Sequence, residues 1–443
     1  MSGNCLLNQL AKAGWAAIRG REAWVVFTTA LVARLAHVFI AGEHPTDDTA
    51  DYDEIALNLL SGEGFVSREN WFGFDVHSWR APAHPFLLAA IYYVFGFGHT
   101  APLIVQAVIG AVTTTVVYDL GRHLHPSSAF GAGMLAALYG PLIRATSTLA
   151  TEPLFILLTV AAVHQLTLCR STRRFWPHTV LCGALIGAAA LTRPVGLVLL
   201  PVQVAIWYWR DRRASSQRLG WLHRSLWLSL GIVLVIAPWT VRNYSVHDTL
   251  VPISTHGGFI FARSNAAVPD WKKKEVAWRI DREMFVSIPS EKARDRHWTR
   301  QGFDYIRNNP GHYVQLAGER LLRFWYFFEP QYNFWFMSVL PFFLAGFVRY
   351  GGLDRYLLPT LLIGASIAVF CLILYASVRF RLALEPFFLL YASAYIRDHW
   401  ERVGPKRSVR AIGVVVFVNG LIWWQDETLR QMVLGLVRHW NLG

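Results

Sequence analysis

The sequence predicts an all-α polytopic membrane protein with about eleven transmembrane helices, and three observations carry that prediction. Of 443 residues, 54% are hydrophobic and only 16% charged, with a mean hydropathy of +0.31. A soluble chain of this length would carry more charge and divide into two or three domains. Apolar stretches near span length instead recur from one end to the other. Finally, the 42 lysines and arginines outnumber the 29 acids, for a net charge of +13, and they gather in short segments between apolar stretches. That is a topological signal rather than a nucleic-acid footprint. Four scattered cysteines, Cys5, Cys169, Cys182 and Cys371, show neither a disulfide framework nor a zinc spacing.

The N-terminus carries Lys12, Arg19 and Arg21 before an apolar run over 23–41 with no small-residue cleavage site after it, which reads as a retained signal-anchor. Further apolar segments lie at 85–97, 101–121, 128–143, 152–169, 179–192, 194–209, 223–241, 332–348, 356–376, 380–396 and 409–424. The segment 85–97 is short for a span, which needs about 20 residues. Charge decides its place. With 85–97 along the interface, the clusters Arg170/Arg173/Arg174, Arg210/Arg212/Arg213/Arg218, Arg349/Arg355 and Arg397/Arg402/Lys406/Arg407/Arg410 all share the side of the N-terminus. The expected topology is therefore eleven spans, a cytoplasmic N-terminus at 1–22 and an outside C-terminus.

Three polar pieces then face outward: an outer loop at 42–100, a turn at 144–152 and a segment at 242–331 long enough for interfacial helices. The expected division is an N-terminal transmembrane catalytic module at 23–241, the outer segment 242–331, C-terminal spans at 332–425 and an amphipathic tail at 426–443. Lys272 to Lys274 fall in the long outer segment, where the charge bias does not apply. The aromatic run at 324–336 reads as an interfacial belt. Arg242 and Asn243 read as a structural span end. Arg34 and His37 share one face of the first span, where a charge meets a cleft or another buried group, or else snorkels; Arg193 poses the same question. No His-x-x-x-His pair suggests zinc.

The first outer loop holds the strongest local anomaly. Five acids, Asp47, Asp48, Asp51, Asp53 and Glu54, fall within eight residues directly after an apolar span. Such a cluster coordinates a cation, accepts a proton, or is solvated. Ile55, Leu57, Leu59 and Leu60 followed by Gly62 and Gly64 predict a short glycine-terminated helix. Asp48 and Asp51 lie near its N-terminus, where the dipole favours carboxylates. Asp53 and Glu54 fall in the helix body and read as solvated or capping groups. On a helix Asp51 and Asp53 point about 200° apart, so they do not converge on one ion.

Six short motifs then occur in order: DTADY (48–52), RAPAHP (80–85), TEPLF (151–155), LTRP (191–194), PWTVRNY (238–244) with PISTHGG (252–258), and RFRL (379–382) followed by Glu385 and Pro386. In this order the chain resembles the GT-C superfamily of integral-membrane glycosyltransferases, in particular the bacterial relatives of protein O-mannosyltransferases and of the lipid A aminoarabinose transferase. The resemblance implies a GT-C fold with juxtamembrane helices in the first outer loop. It also implies a polyprenyl-phosphate-linked sugar donor, on undecaprenyl phosphate in a bacterium, and a hydroxyl acceptor on a protein, lipid or glycan. The expected place is the bacterial inner (plasma) membrane with the active site outward. Two features depart from the family pattern. His84 stands where members often have an aromatic residue, and no soluble outer domain of the kind that helps choose the acceptor follows the last span.

The implied reaction is an inverting displacement at the anomeric carbon. By its match to the first acid of the family motif, Asp48 is the expected base, and Asp51 the residue that orients the acceptor or the loop. Arg379 and Arg381, in a turn between spans, are expected at the donor phosphate, which guanidinium binds bidentately; Arg80 is a further phosphate ligand or a loop anchor. Glu152 is either a helix N-cap or a second acid in the cleft, with Tyr52 and His84 as further cleft residues. No cofactor is expected, and a divalent metal is the lesser reading. A transporter or flippase of lipid-linked saccharides is the alternative function; it would place its charges at mid-membrane in broken, repeated helices.

Overall fold

The computed structural model describes residues 3–42, 48–68, 75–168, 175–213, 220–265, 287–288, 290–326, 333–374, 378–426 and 428. Asp47, Lys272 to Lys274, the middle of the aromatic run and nearly all of the amphipathic tail lie outside them. Among the described residues the regular structure is helical, and the one exception is an antiparallel bridge between Ser67 and Val76. The chain is an integral membrane protein, and each of the twelve apolar segments forms, over its described residues, a helix or a broken helix pair.

The helices are α1 (Gly3–Ala41), α2 (Thr49–Leu60), α3 (Ala83–Phe95), α4 (Thr100–Leu124), α5 (Ala129–Leu138), α6 (Gly140–Arg144), α7 (Glu152–Leu168), α8 (Phe175–Thr192), α9 (Leu199–Arg213) and α10 (Gly220–His247). After these come α11 (Gly257–Asn265), α12 (Glu291–Asn308), α13 (Pro310–Trp325), α14 (Phe334–Tyr350), α15 (Leu357–Ala368), α16 (Val378–Arg381), α17 (Glu385–Val403) and α18 (Pro405–Trp424). Among the described residues, five stretches are long and apolar enough to cross a membrane alone: 20–41, 100–124, 220–247, 354–373 and 405–424. The other apolar helices are shorter or interrupted. Helix α3, with 13 residues, reaches about 20 Å against a hydrocarbon core of about 30 Å, too short to cross it alone.

Helix α4 packs against α1, α5 and α7, and α7 continues to α8. Helices α8 and α10 cross at Gly183 and Gly231, where a methyl on either would collide with the facing backbone. Lipid supplies no hydrophobic drive between helices, so close approach through small residues is how such a pair gains dispersion contact. Arg34 settles its own question here. It is 1% exposed and donates to the carbonyls of Ala136 (3.4 Å) and Ala137 (3.1 Å) at the end of α5. The helix breaks there before α6, and a cation satisfies carbonyls left without intrahelical partners. It meets neither a carboxylate nor the interface.

The first polar loop is stapled to its surroundings. Helix α2 buries Tyr52, Ile55 and Ala56 and ends before Gly62 and Gly64, both at φ above 80°. Asp53 accepts from the Tyr92 hydroxyl (2.6 Å) and pairs with His99 (2.9 Å), and Glu54 accepts from the Ser67 hydroxyl (2.7 Å) and the Arg68 amide. Neither is the solvated or capping group that its place in the helix body suggests; they tie α2 to α3 and to the strand-like bridge. Arg242 donates to the carbonyls of His77 (2.6 Å) and Phe65 (2.9 Å), while Asn243, fully buried, accepts from Ser78 and donates to Val251 and Ile253. The span end read from PWTVRNY therefore joins residues 65–78 to residues 251–253.

Candidate active site

Six charged side chains from separate parts of the chain meet in one alternating series. Asp48 precedes α2 and Asp51 lies in its first turn. Arg80 precedes α3, Glu152 opens α7, Arg193 follows α8, and Arg379 lies in the single turn α16. Asp48 is 2.9 Å from Arg80 through one oxygen and 2.8 Å from Arg379 through the other. Arg80 also donates twice to Asp51, at 2.9 and 2.5 Å. Arg379 grips Glu152 through two nitrogens, and Arg193 donates to the same carboxylate at 2.6 Å and to the Thr151 hydroxyl at 2.6 Å. The order Asp51, Arg80, Asp48, Arg379, Glu152, Arg193 balances three negative against three positive charges. Balance of this kind is what makes buried charges tolerable at a membrane face.

The electrostatics follow from that order. Burial pushes the Asp48 carboxyl up, but the guanidinium groups of Arg80 and Arg379 outweigh it and hold the group well below the usual carboxylate range. Burial lowers both arginines; for Arg80 the charges of Tyr52, Asp48 and Asp51, and for Arg379 those of Glu152 and Asp48, reverse this and raise them. Arg379 also lies between Asp48 and Glu152 and contacts both carboxylates, the two acids that would hold a divalent ion if one were bound. The donor set as it stands fits a guanidinium there.

A cavity of about 1130 Å³ opens beside this chain of charges. Glu152 and Arg379 form part of its wall, together with Arg144, Glu385, Asn333 and Trp335. Ala33 and His37 of α1 and Val416, Gly420 and Trp423 of α18 line it as well, so two apolar helices bound a space that reaches the arginines.

The remaining expected residues go elsewhere. Arg381 is fully buried, donates to Glu385 (2.9 Å) and to the Phe324 carbonyl (2.8 Å), and stacks on Phe336 at 3.5 Å. Two residues along a helical turn point it away from Arg379 and into the core, against Glu385, Phe324 and Phe336. Tyr52 and His84 do not line the cavity. They pack edge to face at 4.9 Å beneath the charges, on the buried side of α2, and Arg80 lies over the Tyr52 ring at 5.4 Å. Burial pulls His84 down to about 4, so its ring is neutral and behaves as the aromatic residue expected at this position. Glu152 is a second acid of the cleft as well as the first residue of α7.

Sequence reasoning misses His256, which precedes α11 and packs against Trp79 with ring centroids 4.2 Å apart and the planes tilted by 45°. Burial, then the charge of Arg80, lower it to about 3, and it acts electrostatically on Asp48 in return. Its motif, PISTHGG, is legible; which residue of it faces the acids is not readable from order alone. Arg144 likewise reads only as a loop end.

Residues 79–241 match the family described as dolichyl-phosphate-mannose-protein mannosyltransferase. No curated protein matches the chain. Among solved structures, the chain is similar to the Archaeoglobus fulgidus oligosaccharyltransferase in complex with zinc and sulfate, with a TM-score of 0.56 at 12% identity over 89% of this chain and 51% of that one. It is also similar to the oligosaccharyltransferase AglB of the same organism in complex with an inhibitory peptide and a dolichol-phosphate, with a TM-score of 0.52 at 15% identity over 90% of this chain and 54% of that one. ArnT from Cupriavidus metallidurans bound to undecaprenyl phosphate aligns over 87% of this chain and 78% of that one at 16% identity, with a TM-score of 0.40, a level that carries no weight. The chain spans about half the length of the oligosaccharyltransferases it matches. The shared feature is the fold.

Proposed function

Starting from the GT-C glycosyltransferase fold, we propose that this chain transfers a sugar from a polyprenyl-phosphate donor to a hydroxyl acceptor at the outer face of the membrane, with inversion and with Asp48 as base. The observation that carries the reading is the contact between Asp48 and Arg379, at 2.8 Å, where Arg379 itself forms part of the wall of a cavity bounded by apolar helices. The base and the leaving-group cation of an inverting displacement lie on opposite sides of one sugar, so this ion pair opens to admit the donor, and positioning the two groups supplies much of the rate. The family match at residues 79–241 and the dolichol-phosphate held by a structural neighbour support the donor class. In the same reading residues 42–100 and 242–331 face outward, the membrane is a bacterial plasma membrane, and Arg80 and Asp51 anchor the loop that presents Asp48.

The proposed step is a single exchange of bonds. The acceptor oxygen attacks the anomeric carbon, the bond from that carbon to the phosphate oxygen breaks with its electron pair going to the phosphate, and the hydroxyl proton passes to Asp48. Arg379 turns toward the donor phosphate and stabilises the charge that grows on departure; a guanidinium remains charged in any environment. That movement removes one of the two cations from Asp48, so its carboxyl rises toward ordinary basicity when donor is bound. Donor binding thereby switches on the base.

The test is mass spectrometry of cell-envelope lipids, glycans and proteins from cells with and without the protein. Loss of one sugar-modified species is expected. Identical envelopes with no accumulated polyprenyl-phosphate sugar would overturn the proposal.

A further inference from the structure

A second polar cluster lies on α4 and α7, far along α7 from the acidic network. Asp119 and His123 are four residues apart and share one face of α4, and His164 projects from the adjacent α7. His164 Nε2 is 2.8 Å from Asp119 Oδ2, and His123 Nδ1 is 2.8 Å from the Asp119 carbonyl oxygen. One ligand atom from each residue lies within 4.8 Å of the other two. We propose that Asp119, His123 and His164 form a zinc site that clips α4 to α7 at the end remote from Glu152.

Four physical points support it. Two imidazoles and a carboxylate are a zinc donor set, three protein ligands leaving the fourth position to water. His123 Nδ1 must donate to the Asp119 carbonyl, since that oxygen only accepts; its Nε2 therefore keeps a lone pair for an ion. A ring nitrogen turned back to a backbone carbonyl is the usual way a zinc-bound histidine is oriented. Arg122 occupies the other oxygen of Asp119 at 2.9 Å, which orients the carboxylate and leaves Oδ2 toward the histidines. Finally, ligand atoms around tetrahedral zinc stand about 3.3 Å apart at bond lengths of roughly 2.0–2.1 Å. The ligand atoms, up to 4.8 Å apart, have to draw together on binding, and the exposed His123 ring has room to tilt toward the other two about its contact with the Asp119 carbonyl. Zinc binding at His164 Nε2 requires the hydrogen that bridges to Asp119 to leave that nitrogen: a neutral ring carries it on Nδ1 instead, and a doubly protonated ring releases one proton to solvent.

The site is independent of the proposed transferase chemistry. Twelve residues of α7 separate Glu152 from His164, about 18 Å of helix. A search for two histidines on one helix does not find it, because α4 supplies one histidine and one acid and the second histidine comes from a helix 41 residues later.

The experiment is metal analysis and cobalt-substitution spectroscopy on the full chain, purified in detergent, stripped with chelator and dialysed against zinc or cobalt sulfate. One ion per chain is expected, with a tetrahedral cobalt spectrum. His123→Gln, a change at an exposed residue that leaves the fold intact, is expected to weaken binding at least about tenfold, as is His164→Gln. Asp48→Asn is expected to bind as the unmodified chain does. Absence of binding at micromolar zinc, or binding lost in Asp48→Asn and untouched in His123→Gln, overturns the proposal.

Discussion

Replacing Asp48 with asparagine is expected to stop sugar transfer and spare the fold, and the ion network says why the two effects separate. Asp48 accepts one contact each from Arg80 and Arg379. Neither arginine depends on it: Arg80 keeps two contacts to Asp51, and Arg379 keeps its two-nitrogen grip on Glu152. The amide carbonyl introduced by Asp48→Asn still accepts from one of them. Asp48 is a quarter exposed and every arginine keeps a carboxylate partner, Arg379 and Arg193 sharing Glu152, so the change costs on the order of 1 kcal/mol. Glu152→Gln is the contrast. Glu152 is 5% exposed and holds both Arg379 and Arg193, whose other contact is the Thr151 hydroxyl, so removing its charge strands a buried cation and costs about 3–5 kcal/mol. For catalysis the order reverses. A positioned base contributes about 10²–10⁴ in rate, or about 2.7–5.4 kcal/mol of barrier, all of it lost in Asp48→Asn. The assay is transfer from a polyprenyl-phosphate sugar in proteoliposomes, read beside thermal unfolding in detergent. If Asp48→Asn transfers within about twofold of the unmodified chain while unfolding normally, Asp48 is not the base and the reasoning fails.

Three further outcomes follow from the same geometry. Because Arg80 and Arg379 hold resting Asp48 well below the carboxylate range, its stabilising effect is present above the unfolded value of about 3.9 and is lost only at more acid pH. The acid limb of kcat/KM for donor should then lie below about pH 4 and that of kcat, which reports the donor complex, should lie higher; coincident limbs would contradict donor switching of the base. His84 is neutral when folded, held to about 4 by burial, whereas the unfolded chain titrates at about 6.5. The stability this provides is complete above about pH 6.5 and declines as pH falls toward 4, by on the order of 3 kcal/mol in all. His84→Phe should flatten that part of the unfolding-versus-pH curve, and an unchanged slope would count against a buried neutral ring. Arg381→Ala should cost about 3–5 kcal/mol in thermal unfolding by stranding Glu385, with much of the loss recovered in the double variant Arg381→Met/Glu385→Gln. Normal unfolding with weakened donor binding would instead return Arg381 to the phosphate.

What the sequence determined by itself is whatever hydrophobic patterning and local chain chemistry control. The apolar segments and their charged borders specify a helical membrane protein, because spans must satisfy their own backbone and basic residues between them are sorted by side. The short length of 85–97 and the charge bias of the loops that follow set α3 apart from the spans as an expected juxtamembrane helix. Glycines at positive φ ended α2 where expected, since a side chain there would be strained. Motif order selected the fold, and with it Asp48, Arg80, Glu152 and Arg379 as the residues to watch.

Tertiary structure decided which of those charges touch. Asp48 and Arg379 are 331 residues apart, and no local pattern states that one guanidinium joins Asp48 to Glu152. Nor does spacing tell that Arg381, on another face of the same turn, is fully buried against Glu385, or that Asp53 and Glu54 are loop staples. Arg193 and His256 joined the site, and Tyr52 and His84 moved beneath it, for the same reason. Local sequence dictates which residues a helix presents on each face, while the pairing of faces is set by packing between distant segments. Charges buried at a membrane surface take their protonation from whichever partner that packing supplies.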